Sequence, residues 1–99
     1  TPPKISHSKN IYWVVGVVIR NKKILASNII KKLNSYGVGA RPFFWPMHEQ
    51  KIFKKMKIFS KKKYPNSSYL GRYGFYIPSY LKITNSEMNY VISKINELL

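Results

Sequence analysis

Apolar residues fall into two kinds of pattern along this chain. From Ile11 to Ile19 (Ile-Tyr-Trp-Val-Val-Gly-Val-Val-Ile) they are nearly continuous, β-branched and aromatic, which predicts a strand. The lack of alternation predicts a central strand buried on both faces. Gly16 within it marks a bulge or a close packing neighbour. Elsewhere the spacing is helical. Ile29, Ile30, Leu33 and Tyr36 share one face, with Ser27 as the expected N-cap and Gly37 as the C′ residue. A second strand is expected from Val38 to about Phe44, where Pro42 forces Arg41 into extended geometry. Ile52, Phe53, Met56 and Phe59 predict a short helix from about Gln50 to Phe59. Lys61 to Lys63 form a solvated break, and Pro65 opens a helix ending near Gly74. Phe75–Ile77 is a third strand, stopped by Pro78.

The last helix has the most complete signature. Thr84 and Glu87 have capping-box spacing, and Ile83 with Met88 can form a hydrophobic staple. Met88, Val91, Ile92, Ile95, Leu98 and Leu99 make a stripe whose plainest use is core packing. The order is therefore β-α-β-α-α-β-α, a mixed α/β (α+β) unit with about three strands flanked by helices. Residues 1–10, with Pro2 and Pro3, read as an extended arm or linker, and residues 11–99 as one domain.

Composition changes this picture in one respect, charge. The chain carries 18 Lys and Arg against 3 acidic residues, a formal net charge of +15. The acids are Glu49, Glu87 and Glu97, and there is no Asp. Such a surface attracts polyanions nonspecifically. Aromatics (8 Tyr, 5 Phe, 2 Trp) argue against disorder. The absence of Cys removes disulfides and thiolate metal sites, and His7 and His48 lack carboxylates at ligand spacing. The apolar run at Ile11–Ile19 is too short to cross a bilayer as a helix.

Candidate chemistry is concentrated in Val38-Gly-Ala-Arg-Pro-Phe-Phe-Trp-Pro-Met-His-Glu-Gln50. Arg41 can hold a carboxylate or phosphate through two parallel hydrogen bonds, or be a surface cation. Phe43, Phe44 and Trp45 can wall a sugar or ring, or be simple core. His48 can donate a hydrogen bond or exchange a proton, or serve as a capping residue. The prolines preorganise the segment.

Gly-Val-Gly-Ala-Arg-Pro-Phe-Phe-Trp-Pro-Met-His-Glu-Gln resembles a signature of the DegT/StrS-type sugar-nucleotide aminotransferases, in wording nearest the perosamine-synthase-like branch. Tyr12-Trp13, Tyr64-Pro65-Asn66, Gly74-Phe-Tyr-Ile-Pro-Ser79 and Thr84-Asn-Ser-Glu87 extend the resemblance in the right order over about residues 8–99. The resemblance implies the C-terminal small domain of a fold-type-I, pyridoxal 5′-phosphate (PLP)-dependent enzyme, cytoplasmic and homodimeric. Such an enzyme passes an amino group from glutamate to a nucleotide-linked keto-sugar. Arg41, His48, Phe43 and Phe44 would then bind substrate. The Schiff-base lysine, the cofactor-phosphate loop and the Asp that pairs with the pyridinium nitrogen would belong to a missing N-terminal large domain. This chain alone is expected to hold no cofactor or metal and to be inactive. The basic turns at Asn21–Ile24 and Lys61–Lys63 depart from the more acidic form expected of the family. A start at Thr1 rather than Met is the expectation for a piece of a longer protein. The alternative readings are a standalone basic nucleic-acid-binding module, which lacks any RNP, KH or zinc-finger pattern, and a truncated paralogue kept for protein contacts.

Overall fold

The computed structural model describes residues 5–59 and 62–99. The elements are β1 (Val15–Val18), α1 (Ala26–Ser35), β2 (Arg41–Pro42), a 3₁₀ turn (Met47–Glu49), α2 (Lys51–Lys55), α3 (Pro65–Tyr73), β3 (Gly74–Ile77) and α4 (Asn85–Leu98). This is the β-α-β-α-α-β-α order expected from the hydrophobic pattern.

The strands make one antiparallel sheet in the order β1-β3-β2. The middle place belongs to β3, which pairs Val15↔Ile77 through Val18↔Gly74 on one side and Arg41↔Tyr76 and Pro42↔Phe75 on the other. The expectation that Ile11–Ile19 forms a central strand buried on both faces is therefore corrected. It is an edge strand, shortened because Tyr12 takes a positive φ of 49° with its N–H donated to Asn10 Oδ1. Val15 and Val18 are 39% and 38% exposed. A continuous apolar run reads as buried on both sides, but on the face of β1 opposite the core the Phe43 ring reaches Gly16 while Val18 stays exposed. β2 is also shorter than expected, and Pro42 suits its edge position because it needs no ladder N–H there.

One face of the sheet carries the core. Phe75 is fully buried against Ala26, Ile29 and Leu33 of α1 and Val91 and Ile95 of α4. Ile19, Val38 and Ala40 complete this core. α1 starts at Ala26 with Leu25 as N-cap and no side-chain cap, in place of the expected Ser27. The Asn21–Ile24 turn delivers the chain two residues early, which puts Ala26, Ile29 and Leu33 on one stripe. At its other end Gly37 (φ 77°) closes a Schellman motif: Val38 N–H donates to the Leu33 carbonyl and Gly37 N–H to Asn34. Pro65 opens α3, and Thr84 and Glu87 form the reciprocal capping box of α4. α2 ends at Lys55, earlier than the expected Phe59, and Lys57 takes a positive φ of 56°. Of the basic break, Lys61 lies outside the described residues, while Lys62 and Lys63 are exposed.

The chain exposes more surface than a compact monomer of its mass. A folded monomer of 11.6 kDa exposes about 5,800 Å², whereas this chain exposes 8360 Å². Its radius of gyration is 16.0 Å, against about 13 Å for a compact domain of this length.

Candidate functional site

Strand alternation puts Gly16, Gly74, Tyr76 and Arg41 on the sheet face opposite Phe75. Phe43 lies across this face. Its ring packs 4.5 Å from Tyr76 and presses against both glycines, which have no side chains to keep it away. Gly16 is thus the close approach its sequence position suggested: a Cβ there would stand 2.8 Å from Phe43 Cζ.

Beside this wedge lies a cleft of about 360 Å³, lined by Arg41, Phe44, Trp13, Gly39, Tyr76 and Pro78 among others. Phe44 is 80% exposed and meets Tyr76 edge-on at 6.1 Å. The Arg41 side chain has no ion-pair partner among the described residues. The lining is mainly apolar and Arg41 is its one charged residue, which suits a ligand with a ring or sugar body and one anionic group.

His48 stands elsewhere. Its ring is 16% exposed, tilts over Tyr64 at 4.9 Å and lines a separate small cavity with Phe53, Lys54, Lys57 and Phe59. Its Nε2 is 3.0 Å from Ser68 Oγ. Ser68 donates to Glu49 Oε1 at 2.5 Å, and Arg72 grips both Glu49 oxygens at 2.9 and 3.0 Å. The Ser68 hydroxyl, followed by the Arg72 guanidinium and opposed by partial burial, holds the Glu49 carboxyl below the usual carboxylate range. Trp45 and Pro46 anchor the segment. Pro46 is buried against Gly71, and Arg72 sits 5.8 Å over the Trp45 ring.

Of the four residues singled out from sequence, the structure therefore brings Arg41 and Phe44 into one cleft, places Phe43 beside it as a wedge, and sets His48 in a polar cluster. Sequence reasoning missed Tyr76 and Trp13 as cleft residues, and Glu49, Ser68 and Arg72 as the partners of His48. The helical spacing of Ser68 and Arg72 on α3 was the only available signal. No group of three His, Cys, Asp or Glu able to hold a metal occurs among the described residues.

Residues 1–96 match the DegT/DnrJ/EryC1/StrS aminotransferase family. The chain belongs to that family. It is similar to GDP-perosamine synthase of Escherichia coli O157:H7, 30% identical over 91 residues that cover 87% of this chain and 22% of that protein. The family match includes the whole stretch from the Phe43 wedge through the cleft to the His48 cluster. The chain thus spans about a fifth of the curated relative's length. Among the described residues no helix is long and apolar enough to cross a membrane.

Proposed function

We propose that this chain is the substrate-side C-terminal domain of a PLP-dependent aminotransferase that moves an amino group from glutamate to a nucleotide-linked keto-sugar. The observation that carries the proposal is the pairing of Arg41 with Phe44 in an open apolar cleft inside the segment matched by the family. Arg41 would take the anionic group of a substrate, and Phe44, Trp13 and Tyr76 would flank its body. Phe43 holds the wall from behind, and His48 would reach the substrate from the neighbouring cluster.

PLP, when bound, supplies the electron sink for the chemistry at the amino-bearing carbon. The residues of this chain do not fit it as a holder. The cleft brings no lysine forward, and the chain contains no Asp to pair with the pyridinium nitrogen. Holding the cofactor falls to a large N-terminal domain, consistent with the 22% coverage of the relative. The excess surface supports the same reading. Trp13, Ile11, Phe44 and Leu81 are 73%, 84%, 80% and 105% exposed, an apolar stretch that a large domain would cover. A cytoplasmic homodimer is the assembly this reading favours. The alternative of a standalone nucleic-acid module gains nothing from the family match.

The test is Arg41→Ala in the full-length protein. Loss of a charge-assisted contact worth about 1.5–3 kcal/mol raises one substrate's KM about 10- to 150-fold. Unchanged kinetics for both glutamate and the sugar nucleotide would refute the role of this cleft.

A further inference from the structure

The cluster around His48 has a direction. Glu49 is ionised at neutral pH, with its carboxyl held below the usual range, so both its oxygens only accept hydrogen bonds. Oε1 accepts from Arg72 and from Ser68, and Oε2 accepts from Arg72. Ser68 has one hydroxyl proton, and Glu49 takes it at 2.5 Å. At 3.0 Å from His48 Nε2, Ser68 Oγ can then only accept. The ring nitrogen facing it must carry the proton. In the neutral imidazole Nδ1 then bears the lone pair, and the described residues give it no partner.

We propose that Arg72, Glu49 and Ser68 are positioning residues that lock His48 as the Nε2–H tautomer, leaving Nδ1 to accept a hydrogen bond from a ligand hydroxyl or amine. The chain of donors runs from α3 back to the 3₁₀ turn. It spans sequence separations of 19 to 23 residues and ties the turn carrying His48 to a helix that itself leads into the central strand. Glu49 and His48 are 11% and 16% exposed, so water competes weakly for these bonds. The ligand class follows. A lone pair presented at Nδ1 recognises a donor, such as a sugar hydroxyl. The part of this inference that concerns substrate rests on the reading that His48 contacts the sugar; the tautomer does not.

The experiment labels the histidines of the full-length protein with ¹⁵N and records long-range proton–nitrogen correlations at about pH 8.5, well above the ordinary imidazole pKa. His48→Gln and His7→Gln assign the two signals that belong to this chain. Nε2 couples to both ring carbon-bound protons and Nδ1 to one, so the protonated nitrogen is identified directly. The expected result for His48 is a single Nε2–H tautomer whose proton exchanges slowly with solvent, while His7 exchanges fast. Ser68→Ala abolishes the slow exchange and Ser68→Thr, which keeps the hydroxyl, restores it. A wild-type His48 protonated at Nδ1, or a slow Nε2–H that survives unchanged in Ser68→Ala, overturns the proposal. If Ser68→Ala fails to fold, the wild-type tautomer and exchange rate still decide. In the full-length protein, Ser68→Ala raises the KM for the sugar nucleotide about tenfold, as loss of one orienting hydrogen bond predicts, and Ser68→Thr recovers most of it. Unchanged kinetics in both Ser68→Ala and His48→Ala, with the tautomer confirmed, would remove the substrate role and leave the lock standing.

Discussion

Gly74 offers the sharpest test of how the sheet face is built. It is at once the C-cap of α3 and the first residue of β3, with φ −98° and ψ 143°, a conformation any residue can adopt. Backbone preference therefore does not demand glycine; space does. A methyl group there would run into the Phe43 ring, closest at Cδ2 with Cε2 at 2.5 Å, and would stand 2.6 Å from the Leu70 carbonyl oxygen. That carbonyl accepts the Gly74 N–H, so it cannot retreat without loosening the junction of helix and strand. Overpacking of this kind costs about 1–3 kcal/mol. Reduced freedom of the unfolded chain returns about 0.4–1 kcal/mol. Gly74→Ala should therefore destabilise by about 1–2 kcal/mol, lowering Tm by about 5–15 °C for a domain of this size. Gly39→Ala is the control, since nothing lies within 4 Å of its added carbon; its Tm should stay within about 2 °C or rise slightly. Thermal and urea denaturation of both variants decide the matter. A double-mutant cycle isolates the ring: in a Phe43→Ala background the cost of Gly74→Ala should shrink to the part owed to the Leu70 carbonyl. A Gly74→Ala protein at least as stable as the wild type, or a cost identical in both backgrounds, would refute the wedge.

Two further expectations concern stability. Thr84→Ala removes the Thr84 half of the α4 capping box and should cost about 1 kcal/mol in urea denaturation; no change would mean that the bonds Glu87 still makes suffice. Glu87 is held below the usual carboxylate range by the Thr84 N–H and then by the Tyr80 and Thr84 hydroxyls, and Glu49 by Ser68 and Arg72. Both folded-state values are depressed, so their stabilisation is complete above the ordinary carboxylate value and is lost as pH falls through the folded values. Tm should therefore be flat near neutrality and drop on acidification. Glu87→Gln should flatten part of that drop, and an unchanged acid profile would count against the linkage.

Features written locally in the chain could be read from it. The capping box, the Gly37 terminator and Pro65 at the head of α3 each depend on contacts within a few residues, and each is where its residue type predicted. Features that depend on what lies outside an element could not. The run from Ile11 to Ile19 looks doubly buried because it is apolar on both sides, yet burial requires a covering partner, and the described chain brings Phe43 over Gly16 but leaves Val18 and Ile11 to Val15 exposed. Ser27 looks like an N-cap, but the core's demand for Ala26 moves the helix start. At the site, Arg41 and Phe44 were legible as a pair because they lie three positions apart in sequence and line one cleft. The Glu49–Ser68 and Glu49–Arg72 bonds were not, because they join residues about twenty positions apart through a packing of Pro46 on Gly71.

The strand order has a consequence for biosynthesis. β1 and β2 never touch each other as a ladder; each pairs only with β3. Val18 must wait for Gly74, and Arg41 for Tyr76, before either makes its first sheet hydrogen bond. On a ribosome adding about 5–20 residues per second, both outer strands therefore emerge with raw edges several seconds before their shared partner. A nascent chain stalled ahead of Gly74 could form α1 and its Gly37 stop but no sheet, and the Ile11–Ile19 run would be left as a bare β-prone segment. Quality control of this domain thus turns on four residues made late, Gly74 to Ile77, and a chaperone that shields the first strand during that interval would act at the most aggregation-prone moment of its synthesis.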